Sequence, residues 1–458
     1  MAPRSISLEQ IPEPVRELCG RLEAAGYGAW VVGGCIRDLL LGRAVNDWDV
    51  ATSARPEQVR RVFRRVIPTG IAHGTVTVML DGEPYEVTTL RGEGAYTDGR
   101  RPDEVFFVDG IEEDLARRDF TVNAIAYAPG TDVLIDPYGG LEDLSSRCLR
   151  AVGVASERFA EDGLRILRGA RFVATLEMQL EAETLRAMGL ALDTYRKVSH
   201  ERVRDEWLKA MKATRPSRAF EVMRRVGILK VTLPELLQQV GCEQNRWHTH
   251  PVWEHTLATL DACPADPLLR LAALLHDLGK PESRGRSEKT GDYTFYNHER
   301  IGARMAERWL RQFRFSNTER QTVVGLIRNH LICYDPSWSD GAVRRFMRRV
   351  GAESIPRLIE LARADALGKG RSVEQELANL SELEARIEQV AAAGAALGVK
   401  DLALRGDALM SELGLSPGPR VGAILRALLE RVLEDPELNT RDHLLALAAE
   451  EIAREGDA

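Results

Sequence analysis

The sequence predicts an α+β chain, a head built on a mixed sheet with helices followed by a long all-helical remainder. Three observations carry that expectation. Up to about residue 150, short apolar and β-branched runs alternate with helix-like segments and glycine-rich turns. From about Glu157 the strand signals stop and apolar residues recur at helical spacing to the end. At 458 residues the chain has room for about two to four domains with substantial cores. The hydrophobic fraction of 44% is that of an ordinary soluble protein, and no apolar run approaches membrane-spanning length. MAPRSISLEQIPEP has no apolar h-region, so no secretory signal is expected. The 6 cysteines (Cys19, Cys35, Cys148, Cys242, Cys263 and Cys333) contain no C-x-x-C pair and read as reduced residues of a cytoplasmic protein. A net charge of −7 does not advertise a nucleic-acid binder, but a local basic face can hold RNA on an acidic protein.

Taken in order, residues 1–27 read as a helix leading into a first strand, Ala29 to Val32. That run ends at Gly33-Gly34 and a helix-like segment follows, a turn where backbone N–H groups can meet a phosphate. Arg37, one turn in, offers a planar cationic clamp for the same anion. Asp47 and Asp49 stand two apart before Val50-Ala51-Thr52, so on a strand both carboxylates leave one face, about 7 Å apart. Lone Asp-x-Asp pairs usually mark turns, but Glu86, in the β-branched run Tyr85 to Thr89, supplies a third acid that a neighbouring strand can bring alongside. Acids beside a phosphate cradle repel one another unless cations sit between them, which suits paired divalent metals handling a triphosphate. Pro56 to Val66 reads as one helix with a cationic stripe (Arg60, Arg61, Arg64, Arg65), a solvated face before it is a phosphate track. Residues 75–90 alternate as the strand that carries Glu86. Gly92 to Asp103 has the composition of a mobile active-site loop. In ARRDFTVNAIAY, residues 116–127, Arg117 and Arg118 offer bidentate phosphate donors, and Asp119 can accept from a ribose hydroxyl. Asn123 follows four residues later. A Gly/Pro turn at 135–144 closes the head.

Gly33-Gly34, Arg37-Asp38, Asp47-x-Asp49, Glu86 and Arg117-Arg118-Asp119-Phe-Thr-x-Asn123 resemble the nucleotidyltransferase signature of the DNA-polymerase-β-like superfamily. Within it they resemble the class II tRNA nucleotidyltransferases (CCA-adding enzymes) and their bacterial poly(A) polymerase relatives. The resemblance implies that Asp47 and Asp49 ligate two Mg²⁺ ions, with Glu86 helping to ligate one or to activate the 3′-hydroxyl. It makes Gly33, Gly34, Arg37, Arg118, Asp119 and Asn123 nucleotide-binding residues. Trp48 departs from the pattern, which more usually has a smaller aliphatic between the aspartates. The loop after Gly92 is not short, which leans towards addition of the terminal A.

The helical remainder carries two further constellations. In FAEDGLRILRGARF, residues 159–172, Asp162 and Arg165 are neighbours if the segment is one helix. On its own that is a surface ion pair worth roughly a few tenths of a kcal/mol. Together they also match the hydrogen-bonding edge of a base, and the resemblance names Asp162 and Arg165 as base readers with Arg168 as a supporting cation. Val198 to Met211 resembles the family's neck helix. Further on, His276-Asp277 closes the apolar stretch LRLAALLHDLGK, an arrangement that is costly to bury unless something pairs with it, as a divalent metal would. The ordered set His255, His276-Asp277 and Asp365 resembles the HD-domain phosphohydrolase signature, implying a divalent metal of unspecified identity. His298 and His330 fall where such domains place additional metal or substrate residues. Arg344, Arg345, Arg348 and Arg349 read as a solvated face or an extension of an RNA track. The expected organisation is a nucleotidyltransferase head at 1–150, a neck at 151–240, an HD domain at 241–370 and a tRNA-binding tail at 371–458. The expected activity is addition of C, C and A from CTP and ATP to a tRNA 3′ end. The rivals are an A-adding enzyme, a poly(A) polymerase, or an HD phosphohydrolase whose head merely binds RNA.

Overall fold

The computed structural model describes residues 6–45, 47–71, 74–93, 105–394 and 397–456. It divides into two compact units, one running to Leu237 and the other starting at Gln238.

The first unit opens with α1 (Glu13–Ala24), β1 (Ala29–Val32), α2 (Gly34–Leu40) and β2 (Asp49–Thr52). Then come α3 (Pro56–Val62), β3 (Val66–Gly70), β4 (Thr75–Leu80), β5 (Glu83–Thr89), β6 (Arg91–Glu93) and β7 (Val105–Phe107). After α4 (Ile111–Ala116) a short 3₁₀ turn, Thr121–Asn123, leads into β8 (Ala126–Ala128) and β9 (Val133–Ile135). A seven-stranded sheet has the order β3-β4-β5-β2-β1-β8-β9. β2 and β5 run parallel within it and the remaining neighbours antiparallel, so the sheet is mixed as expected. Val32, Ala51, Leu90, Leu115, Ala124 and Ala126 form a buried cluster against it.

Three local readings are corrected here. Residues 75–90 are two strands, because Asp81 and Gly82 both take positive φ (52° and 89°) and close a tight hairpin with Leu80 opposite Glu83. The Pro56 helix stops at Val62, so Arg64 and Arg65 leave it and the four-arginine stripe does not exist. α1 begins only at Glu13, with Pro14 in its first turn, where a missing N–H costs nothing. The expected loop at 92–103 falls mainly outside the described residues; its flanks, β6 and β7, pair antiparallel.

The rest of this unit is α5 (Gly140–Ser146), β10 (Cys148–Leu149), α6 (Ala155–Glu161), α7 (Leu164–Thr175), β11 (Gln179–Leu180), α8 (Ala182–Leu190), α9 (Leu192–Tyr195), α10 (His200–Ala210), α11 (Ser217–Arg225) and α12 (Ile228–Thr232). Strand structure therefore does not end at Glu157: β10 and β11 pair in parallel. The helix expected over 159–172 is broken, with Asp162 extended (φ −140°, ψ 110°) between α6 and α7. Gly163 is the reason, because a Cβ there would lie 2.5 Å from Thr194 C and Tyr195 N. The chain bends where backbone packs directly on backbone.

The second unit contains α13 (Val252–Ala262), α14 (Pro267–Leu275), α15 (Lys280–Ser283), the hairpin β12 (Arg284–Arg286) and β13 (Tyr293–Phe295), α16 (His298–Gln312) and α17 (Asn317–Asn329). It continues with α18 (Asp340–Val350), α19 (Ile355–Gly368), α20 (Glu374–Ala392), α21 (Gly406–Leu413), α22 (Pro419–Glu434) and α23 (Arg441–Gly456). Leu409, Ile424, Leu428, Leu429, Val432, Leu444 and Ala448 form the tail's own core. Arg344 is buried and donates to the Leu433 carbonyl (2.8 Å), while Arg345 and Arg348 pair with Glu434 and Glu430. Arg344, Arg345 and Arg348 thus tie α18 to α22; Arg344 is buried, while Arg345 and Arg349 are exposed.

Candidate functional site

In the first unit, strand register assembles the acids. Asp49 at the start of β2 lies directly opposite Glu86 of β5, on strands about 4.8 Å apart. Asp47 is exposed two residues earlier. The Asp49 carboxyl is pushed up by partial desolvation and by the charges of Glu86 and Asp47, with Arg118 opposing. Carboxylates that raise one another in this way suit a hard divalent cation, so the donor set fits a metal.

Beside Asp49 lies a cavity of about 520 Å³ whose walls include Arg37, Arg117, Arg118, Arg165, Arg168, Arg171 and Arg202, with Gly33, Gly34, Asp119, Asn123, Asp162 and Phe172. Gly33 has φ +79°, and a Cβ on it would come within 2.6 Å of Arg118 Nη1. Its own N–H donates to Ile125 O, so Gly33 contributes space for Arg118 and not a free phosphate donor. Arg37 forks onto Asp38 (2.9 and 2.8 Å) and donates to Asn123 Oδ1 (2.6 Å). Arg117 and Arg118 both clasp buried Asp114. Asp119 accepts from Asn123 Nδ2 and Phe120 N, each at 2.9 Å, and from Arg168 Nε at 2.6 Å. Burial raises the Asp119 carboxyl, but Arg168 and Asn123 outweigh that and hold it down at about 2. With three donors already on it, Asp119 positions Arg168 and Asn123.

Asp162 and Arg165 stand on either side of Gly163, at the junction of α6 and α7, and each has partners of its own. Asp162 accepts from Arg202 (2.6 Å) and from the Leu164 N–H (2.9 Å). Arg165 pairs with Glu161 and donates to the Arg158 and Arg117 carbonyls. Both still line the cavity. Arg202, Arg171 and Phe172 were missed as site residues. Arg202 stands in the neck-like helix α10, forty residues from its partner, and only the fold reveals the pairing.

The second unit gathers His255 from α13, His276 and Asp277 at the end of α14, and Asp365 from α19. His255, His276 and Asp277 are fully buried. His276 Nε2 lies 3.1 Å from Asp277 Oδ2 and 3.3 Å from His255 Nε2, and His255 Nε2 lies 2.9 Å from Asp365 Oδ1. Gly368 permits this, since a Cβ there would sit 2.3 Å from Thr259 Oγ1 across the α13–α19 contact. Burial opposes a charge on His276, yet Asp277 and Asp365 raise it to about 10: the cluster collects a proton to balance its acids. Buried imidazole nitrogens converging with carboxylates fit a divalent cation, which would serve that balance in the proton's place. Lys280, 2.6 Å from Asp277 Oδ2, and His248, edge-on to His255, were missed in the sequence.

Residues 29–150 match the family model of the poly(A) polymerase head domain, 177–239 that of the probable RNA and SrmB-binding site of polymerase A, and 252–369 that of the HD domain. A CCA-adding enzyme of Lactiplantibacillus plantarum is 32% identical over 444 residues, covering 96% of this chain and 97% of that one. The chain belongs to the CCA-adding enzyme family. Another member, from Lactobacillus gasseri, is 48% identical over 208 residues; that match takes in 45% of this chain and about half (52%) of the relative's length. The crystal structure of a Bacillus stearothermophilus CCA-adding enzyme in complex with CTP matches 98% of this chain and 100% of its own, with a TM-score of 0.72 at 26% identity. CCA-adding enzymes are nucleotidyltransferases, and both nucleotidyltransferase and HD domains are metal-dependent.

Proposed function

We propose that the chain adds C, C and A from CTP and ATP to the 3′ end of tRNA. The observation that carries this is Asp49 in register with Glu86, with Asp47 beside them, at the edge of an arginine-walled cavity large enough for a nucleotide. The CTP held by the Bacillus stearothermophilus relative supports the substrate class. Asp47 and Asp49, with Glu86, are the residues that would hold Mg²⁺, which when bound lowers the pKa of the attacking 3′-hydroxyl and neutralises the departing pyrophosphate. The chain itself supplies position and charge. Arg37, Arg118 and Arg168 bind the triphosphate, each fixed by an acid or amide behind it. Asn123 is held by Asp119 to face the sugar. Phe172, itself buried, lies beneath Arg37, Arg168 and Arg171 and braces them at the cavity wall. Asp162 and Arg165 read the base after exchanging Arg202 and Glu161 for its edge. The organisation of head (1–150), neck (151–240), HD domain (241–370) and tRNA-holding tail (371–458) belongs to the same reading, as does a cytoplasmic setting. Among the described residues no helix is long and apolar enough to cross a membrane.

The test offers the purified chain, with Mg²⁺, tRNAs ending before C, after C and after CC, together with CTP, ATP or both. Stepwise completion that stops at CCA is expected. A single A on the CC-ended tRNA alone would make it an A-adding enzyme, and long A tails a poly(A) polymerase. No incorporation would overturn the reading. A second activity, metal-dependent removal of phosphate from RNA ends, is favoured by the buried His/Asp cluster, whose donors fit a divalent metal. Its loss in Asp365→Ala, with phosphate release as the readout, checks it.

A further inference from the structure

We infer that the second unit carries a further binding site, a groove along α16 and α17 that takes a nucleoside phosphate as a metal-free anion. It stands apart from the nucleotide-addition reading and from the His/Asp cluster, and neither requires it.

The groove encloses about 600 Å³, a volume in the range of small-ligand pockets. It shares no lining residue with the cavity beside Asp49 or with the cavity at the His/Asp cluster. Helical periodicity builds it. Ile301, Arg304, Met305 and Arg308 recur at three and four residues and so form one face of α16, while Val324 and Arg328 stand four apart on α17. Met305 is buried, Ile301 and Val324 are half-buried, and the three arginines are exposed. The result is an apolar floor with a cationic rim.

Charge sets this rim apart from the surface around it. Neighbouring arginines have acids of their own: Arg300 lies 3.7 Å from Glu299, while Arg311 and Arg320 lie 3.5 Å and 3.1 Å from Glu307. Glu307 lines the groove but is thereby engaged. Arg304, Arg308 and Arg328 have no ion pair among the described residues. Three guanidiniums around one cavity are therefore left without a counter-charge in a chain whose net charge is −7. Arg304 and Arg308 are one turn apart, a rise of about 6 Å, and each fork can meet two phosphate oxygens. A bare anion would leave the Ile301, Met305 and Val324 floor wet, so the phosphate carries an apolar body. Glu282, on α15, is an exposed lining carboxylate with no ion pair among the described residues. It only accepts, which suits the hydroxyls of a ribose or the amine of a base. A continuous RNA backbone fits less well, since it would set phosphates against that carboxylate and the apolar floor.

The experiment uses the full chain with ¹³C-methyl methionine, and with EDTA present to keep divalent ions from the other two sites. The Met305 methyl resonance is assigned through Met305→Leu and followed while AMP, inorganic phosphate or adenosine is added. A saturable Met305 shift is expected with AMP, at a concentration about tenfold or more below that needed with phosphate or adenosine alone. Arg304→Gln and Arg328→Gln should each weaken AMP by about tenfold, the scale of one charged hydrogen bond, with circular dichroism unchanged. No Met305 shift with AMP, or a shift that both folded variants retain in full, would overturn the site. Phosphate binding as tightly as AMP would overturn the nucleoside assignment. A Met305 shift with a short oligouridylate and none with AMP would overturn it in favour of an RNA strand.

Discussion

The Asp49 carboxylate is destabilised by partial desolvation and by Glu86 and Asp47, the neighbours that would help it hold a cation. A carboxyl whose folded pKa is raised costs stability as pH rises through it, so at neutral pH the metal-free site is strained. Millimolar Mg²⁺ should therefore raise the thermal midpoint, by about 1–3 kcal/mol in stability at ten to a hundred times Kd. Asp49→Asn should abolish that response while leaving the metal-free protein as stable or more so; a melt with and without Mg²⁺ decides it. Asp119 behaves oppositely. Its carboxyl is held down at about 2, so its contribution is present above about pH 4 and is lost as pH falls towards 2. Asp119→Asn should cost roughly 2 kcal/mol at pH 7, with the gap to the parent closing between pH 4 and pH 2 in urea melts. The Asp-x-Asp spacing and the Arg-Arg-Asp motif were legible because local sequence dictates which donors are near one another. That Asp119 serves chiefly as the counter-ion of Arg168, forty-nine positions away, was not.

At the scale of elements, the α6–α7 junction shows where helical spacing misleads. The run from Phe159 to Phe172 has helical periodicity throughout, yet Gly163 bends it so that its backbone rests against Thr194 and Tyr195. Gly163→Ala should destabilise the first unit by about 1–3 kcal/mol, measured by urea unfolding, and should also weaken base discrimination by moving Asp162 relative to Arg165. The comparison of C against A incorporation reads the second effect. Arg202→Ala releases Asp162 and should change that ratio with less effect on stability. The β4–β5 hairpin teaches the converse. Asp81-Gly82 is a strong two-residue turn signal inside an alternating run, legible in the sequence and read through.

For the molecule as a whole, the two compact units hold separate candidate sites, the acids and arginines in one and the His/Asp cluster in the other. Asp47→Ala should reduce nucleotide addition by about a hundredfold or more, since it removes a candidate metal ligand, and leave the metal content of the His/Asp cluster unchanged. Asp365→Ala should do the reverse, with addition retained within about twofold of the parent, the scatter of distant and independent sites. Incorporation assays and elemental analysis on the same preparations check both arms. The net charge of −7 reflects the chain as a whole, while the cavity beside Asp49 concentrates seven arginines, Arg37, Arg117, Arg118, Arg165, Arg168, Arg171 and Arg202. Total charge therefore says little about whether a polyanion is bound.

What the sequence determined by itself was chemical identity and local spacing: Asp47 with Asp49, Arg118 with Asp119, and His276 with Asp277. Those follow from covalent neighbourhood and the periods of helix and strand. Tertiary structure decided which of them meet. Glu86 joins Asp49 only because β5 lies parallel to β2 in one register, and a slip by one residue would turn its carboxylate to the other face. His298 and His330 join Asp277 because α16 and α17 pack so that their first and last turns converge, and Arg202 reaches Asp162 across a bend set by a glycine. Such meetings depend on long-range packing, which local periodicity does not encode.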